Sequence, residues 1–130
     1  MILLDTDVCV EILRGNKKVV QKRAEYTGEV AISFMTVAEL YYGAEYSENP
    51  IENKILVEKF TMTVSIIHSD VPILKRFGEL KSGFKKKKIL IPDADLFIGA
   101  TALEKSEALV TGNSKHFERI AGLKIDNWIR

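Results

Sequence analysis

Ile2-Leu3-Leu4-Asp5 is the stretch that decides the fold. Three apolar side chains in succession describe a strand buried on both faces, and such strands belong to parallel sheets. The run breaks at an acid. A carboxylate ending a buried strand is costly to desolvate, which makes Asp5 a candidate for function. It also says where to look for companions, because open parallel sheets bind ligands beyond the carboxyl ends of their strands.

Outward from this strand, Thr6 or Asp7 caps a short helix running to Leu13, with Gly15 as its stop. Residues 19–26 read as a helix with Lys and Arg outside, and residues 29–33 as a strand. Thr36-Val37-Ala38-Glu39 has the form of a capping box and opens a helix to Tyr46. Asn49 and Pro50 start another, to about residue 61. Residues 64–67 form a third strand, and Asp70 caps a helix ending near Gly83. Lys85-Lys86-Lys87-Lys88 reads as a charged loop, and residues 89–91 lead as a short strand to Pro92. A helix over 93–106, a strand over 108–111, a turn at 112–114, one helical turn over 116–120 and a strand over 124–129 complete the chain. Strands alternate with helices throughout, which defines an α/β class with a mostly parallel sheet. Neither a repeat nor a linker interrupts residues 1–130, so one domain is expected.

Composition narrows the function classes. With 46% hydrophobic and 28% charged residues, the 130-residue chain is ordinary for a globular domain. No run approaches the ~20 apolar residues that span a bilayer, so no membrane association is expected. The single cysteine, Cys9, cannot pair internally and reads as a small buried residue, which suits a reducing cytoplasm. A net charge of +1 excludes a wholly basic nucleic-acid binder.

Several acids fall at strand ends. Asp5 and Asp7 follow the first strand, Glu39 lies early in the helix after the second, and Asp93 and Asp95 start the helix before the fourth. Asp95, Ile98, Gly99, Ala102 and Leu103 share one helix face. That face is otherwise apolar or small, so Asp95 points inward, and Gly99 and Ala102 let the helix sit close to the sheet. Carboxylates with no His or Cys beside them suit a hard cation, Mg²⁺ or Mn²⁺, which takes phosphate oxygens and lowers the pKa of a bound water. Asp7 reads equally as a supporting acid or a helix cap. Glu39 alone reads as the capping-box residue, and Asp93, on the far side of its helix, as an assisting acid or a first-turn charge. Thr6 and Thr111 stand where they could orient carboxylates or substrate. The lysine run at 85–88 reads first as a solvated loop, but with Arg14 it would form a basic rim that collects phosphates. Tyr41, Tyr42 and Tyr46 with Phe97 exceed what one helix pair needs for its core; core packing is the default reading and a protein contact the alternative. His116 and His68 read as incidental.

The segments LLDTDV (3–8), TVAELYYGAE (36–45), DADLFIGATAL (93–103), LVTGNSKHFERI (109–120) and the closing GLKIDNWIR together resemble the PIN-domain ribonuclease family, specifically VapC-type toxins of toxin–antitoxin pairs. The resemblance implies a three-layer α/β/α sandwich, a homodimer, RNA cleavage dependent on Mg²⁺ or Mn²⁺ that leaves a 5′-phosphate, and inhibition by a cognate antitoxin. It assigns Asp5, Glu39 and Asp95 as the metal-binding acids, with Asp93 as an accessory. Where many relatives carry a fourth acid, Asn113 and His116 stand instead; Asn113 could still ligate weakly, but a full second metal site is not expected. Two alternatives remain. Asp5-Thr6-Asp7 after an apolar strand imitates the nucleophile motif of haloacid-dehalogenase phosphatases, with Lys115 a lysine in the wrong order. A phospho-receiver module fits the length, but its third strand would have to end in an aspartate.

Overall fold

The computed structural model describes residues 1–130. Strand β1 (Ile2–Leu4) is buried throughout, with Ile2 and Leu4 in one hydrophobic core and Leu3 in the other. Helix α1 (Thr6–Leu13) follows directly, and its cap is Asp5 itself, which accepts from the Thr6 N–H, rather than Thr6 or Asp7. Helix α2 (Lys17–Glu25), capped by Asn16, leads to β2 (Val30–Ser33).

Helix α3 (Phe34–Tyr46) begins ahead of the expected capping box. Ser33 is the cap, its hydroxyl accepting from the Thr36 N–H at 3.1 Å. Thr36 is therefore an internal, fully buried residue, and Glu39 has no capping duty. Helix α4 (Pro50–Thr61), strand β3 (Ser65–Ile67) and helix α5 (Val71–Lys86) come next. Lys85 and Lys86 belong to the last turn of α5 rather than to a loop, since cations favour a helix C-terminus. The chain turns at Lys88, whose φ of 59° is left-handed. Residues 89–91 form no strand, and α6 (Asp93–Lys105) starts after Pro92. Strand β4 (Ala108–Val110), helix α7 (Ser114–Phe117), which starts earlier than the expected helical turn, and a two-residue β5 (Ile125–Asp126) complete the chain.

The sheet has the order β3-β2-β1-β4-β5 and is parallel at every pairing. From β1 the chain builds outward through β2 to β3, then crosses to the other side of β1 to lay down β4. That reversal opens a crevice at the carboxyl ends of β1 and β4. On one face of the sheet Leu4, Val8, Leu40, Val57 and Phe60 pack with α1 to α4; on the other Leu3, Leu96, Ile98, Leu109 and Phe117 pack with α6 and α7. Each fully buried Leu, Ile or Phe contributes roughly 1.5–3 kcal/mol. The result is a three-layer α/β/α sandwich. Cys9 is buried in the first core, and burial holds its thiol well above its usual range. No helix is long and apolar enough to cross a membrane.

Candidate active site

Asp5 occupies the crevice between β1 and β4. Its N–H extends the ladder by donating to the Val110 carbonyl at 2.9 Å. The buried Thr111 hydroxyl donates to Asp5 Oδ2 at 2.7 Å, and the Thr6 N–H donates to Oδ1 at 2.7 Å. Asp5 is 5% exposed and has no Lys, Arg or His partner. Burial is the largest cause, and the neighbouring Asp7 charge the next, of a carboxyl raised from 3.8 to about 7, against the opposing bonds from Thr111 and Thr6.

Asp7 takes the supporting role in preference to the cap. Its Oδ2 accepts from the Gly112 N–H at 2.9 Å, tying α1 to the loop after β4. Its Oδ1 is buried with no hydrogen-bond partner. Burial holds this acid above its ordinary range as well. Gly112 permits the contact because of its size: a Cβ there would stand 2.7 Å from Ile129 Cδ1 and 2.9 Å from the Asp7 oxygen.

The other two acids arrive on helices. Glu39 on α3 accepts from the Thr6 hydroxyl at 2.7 Å, and that hydroxyl lies 3.0 Å from Thr36 Oγ1. Asp95 in the first turn of α6 reaches the same edge, where its charge helps to raise Asp5 and Asp7. Asp95 Oδ2 lies 2.6 Å from His116 Nδ1, and the Asn113 side-chain amide lies 3.0 Å from the same nitrogen. His116 is thus a member of the site that sequence reasoning passed over. The small residue on the Asp95 stripe also acts differently from expectation: a Cβ at Gly99 would meet Ile120 Cδ1 at 2.6 Å, so the close approach is to the segment after α7 and not to the sheet.

Asp93 does not join this group. Two residues turn a helix by about 200°, and Asp93 points away to a 3.0 Å ion pair with Lys81. It lines a separate cavity of about 360 Å³ with Lys85, Lys88 and Leu90. The structure therefore replaces the accessory-acid expectation with a surface ion pair, and it places Lys85 and Lys88 beside Asp93 rather than beside Asp5. Arg14 does border the acids, in a groove it shares with Glu39, Leu40 and Leu56. Lys115 and Arg130, which the sequence did not single out as phosphate contacts, line a polar depression with Asp7 and Asn113. The aromatics separate: Tyr42 and Tyr46 stack on each other in the open at 5.9 Å, while Phe97 stacks on Phe77 at 3.9 Å and meets Phe34 edge-on.

No three His, Cys, Asp or Glu side chains stand as a closed ligand cage, since Glu39 is held by Thr6 and Asp95 by His116. The chemistry of the donor set nonetheless fits a hard divalent cation. Four carboxylates share one edge with no Lys or Arg paired to them, and one of their buried oxygens, Asp7 Oδ1, is unpartnered.

A sheet of this topology with carboxylates at its switch point defines a known class. Residues 2–123 match the model of the PIN domain, and the chain belongs to the PIN-domain family. Within that family it is similar to ribonuclease VapC2 of Haemophilus influenzae, 32% identical over 128 residues, covering 98% of this chain and 97% of that one. Ribonuclease VapC1 of Methanocaldococcus jannaschii is 37% identical over 127 residues, covering 95% and 85%. Among solved structures, VapBC2 from Rickettsia felis, bound to a DNA fragment from its promoter, superposes with a TM-score of 0.90 at 30% identity, covering 98% of this chain and 99% of that one. This membership sets aside the phosphatase and the phospho-receiver.

Proposed function

We propose that this chain is an endoribonuclease that hydrolyses RNA phosphodiester bonds with Mg²⁺ or Mn²⁺ held by Asp5, Glu39 and Asp95, and that it is the toxin of a pair inhibited by a cognate antitoxin. The observation that carries the reading is Asp5: a buried carboxylate raised to about 7, with no Lys, Arg or His partner, in the crevice where parallel sheets bind ligands. The VapC relatives named as ribonucleases, and the VapBC2 complex of Rickettsia felis, support the substrate class and the partner. A homodimer is part of the same proposal.

Bound at this edge, the ion supplies an acidified water and neutralises charge on the scissile phosphate. The protein's own groups orient the reaction. Thr111 and the Thr6 N–H fix the plane of the Asp5 carboxylate, and the Thr6 side chain holds Glu39. In the overall hydrolysis the water oxygen bonds to phosphorus, the P–O3′ bond breaks, the 3′ oxygen leaves with a proton, and the 5′-phosphate remains. Asn113, bonded through its N–H to Thr111 Oγ1 at 2.9 Å, assists at the same edge. Arg14 beside Glu39, Lys115 and Arg130 beside Asp7, and the lysine run at 85–88 further along supply contacts to RNA phosphates.

The test is cleavage of RNA by the purified protein with Mg²⁺ or Mn²⁺, followed by EDTA and by Asp5→Asn. Cleavage is expected to stop in both cases. Activity that survives EDTA would remove the metal from the reading, and undiminished activity of Asp5→Asn would remove Asp5.

A further inference from the structure

Asp95 and Asp5 are joined by an unbroken path of polar contacts. Asp95 Oδ2 meets His116 Nδ1 at 2.6 Å, and His116 Nδ1 meets the Asn113 side chain at 3.0 Å. The Asn113 N–H donates to Thr111 Oγ1 at 2.9 Å, and Thr111 donates to Asp5 Oδ2 at 2.7 Å. Every link but the acids themselves lies in the short segment after β4.

The 2.6 Å contact decides the direction of its proton. Two lone pairs facing each other at that distance repel, whereas an N–H donor to a carboxylate sits at about 2.7–2.9 Å. Nδ1 is therefore assigned the hydrogen, donated to the ionised Asp95; the Asn113 amide, placed with its nitrogen 3.0 Å from Nδ1, suits that assignment once turned over so that its oxygen faces the ring. The reach of His116 is built by packing. Phe117, the next residue, is fully buried, and Gly99, one turn beyond Asp95 on α6, leaves just enough room for Phe117 and Ile120 to press against the helix.

We propose that His116 is a positioning residue for the metal centre: by donating to Asp95 Oδ2 it fixes the orientation of a carboxylate that would help to hold the cation. The inference rests on the metal-dependent reading above. Groups that hydrogen-bond a ligating side chain from outside the coordination shell typically govern metal affinity by 10–100-fold, which sets the expected size of the effect.

The experiment is Mn²⁺ titration of the purified protein, read as a dissociation constant by calorimetry and by the loss of the free-ion spin-resonance signal, with thermal melting of the metal-free protein alongside. His116→Ala is expected to weaken Mn²⁺ binding by about tenfold or more with little change in melting temperature. His116→Asn, whose amide nitrogen occupies nearly the place of Nδ1, is expected to recover most of the loss; a purely structural histidine would show no such rescue. The inference falls if His116→Ala binds Mn²⁺ as tightly as the parent, or if asparagine is no better than alanine. A parent protein that binds no Mn²⁺ overturns the metal reading itself and this inference with it. A parent that binds Mn²⁺, together with an unaffected His116→Ala, overturns the inference alone.

Discussion

Asp93 and Asp95 stand two residues apart in the first turn of one helix, and they live in different electrostatic worlds. Asp93 is 57% exposed and neutralised by Lys81 at the surface. Asp95 is 17% exposed, meets an imidazole at 2.6 Å, and its charge pushes two neighbours, the buried Asp5 and the half-buried Asp7, upward. The two sides of the helix repeat the contrast on a larger scale. The cavity at Asp93 mixes lysines with apolar side chains, whereas the β1–β4 edge concentrates carboxylates that form no ion pair with Lys or Arg. The lesson is that an acid already matched by a cation contributes to the surface. Acids gathered in a crevice with their charge unanswered call for a cation from outside.

The comparison is broken or sharpened first by activity. Asp95→Asn is expected to lower RNA cleavage by on the order of 10²-fold or more, equivalent to about 3 kcal/mol of transition-state stabilisation. Asp93→Asn should change it by less than about threefold. Equal damage from both substitutions would erase the distinction between the two sides.

Metal binding comes next. Mn²⁺ at about 100 times its dissociation constant should stabilise the fold by roughly 2.7 kcal/mol, seen as a rise in melting temperature. Asp5→Asn should abolish most of that rise and Asp93→Asn none of it.

The pH dependence of the metal-free protein follows from Asp5. Its carboxyl is raised from 3.8 to about 7 on folding. Below both values each state is protonated and the group has no effect. As pH climbs between them, the unfolded chain releases the proton while the folded chain keeps it, so stability falls, and the full cost is present above about 7. Asp5→Asn removes that cost. The metal-free variant should melt above the parent at pH 8, with the advantage fading toward pH 4. An advantage that persists at pH 4 would assign the gain to something other than the buried charge.

The smallest effect belongs to the surface pair. Lys81→Ala should cost no more than about 0.5 kcal/mol in chemical denaturation, as exposed ion pairs do. A larger loss would mean that the Asp93 side is more tightly built than its exposure implies.

Legibility in the sequence followed how far each interaction reaches along the chain. Asp5 was readable because three apolar residues precede it, and Asp95 because its helical neighbours are Ile98, Gly99 and Ala102. Both signals lie within a few residues. Glu39 was obscured by a local imitation: Thr36 to Glu39 has the form of a capping box, while the true cap, Ser33, is decided by where β2 stops. His116 carried no local signal, since its partner is 21 residues earlier and on another helix. Asp7 was ambiguous because its hydrogen bond goes to Gly112, 105 residues away.

Burial patterns thus determined by themselves that this chain is an α/β protein, that β1 is covered on both faces, and that acids stand at strand ends. Those are short-range properties, written in periods of two and 3.6 residues. The tertiary structure alone decided that β4 lies beside β1, and with it that Thr111, Gly112, Asn113 and His116 meet Asp5, Asp7 and Asp95. The order of strands in a sheet follows from how the whole set of helices covers its two faces, and no single window of sequence contains that competition.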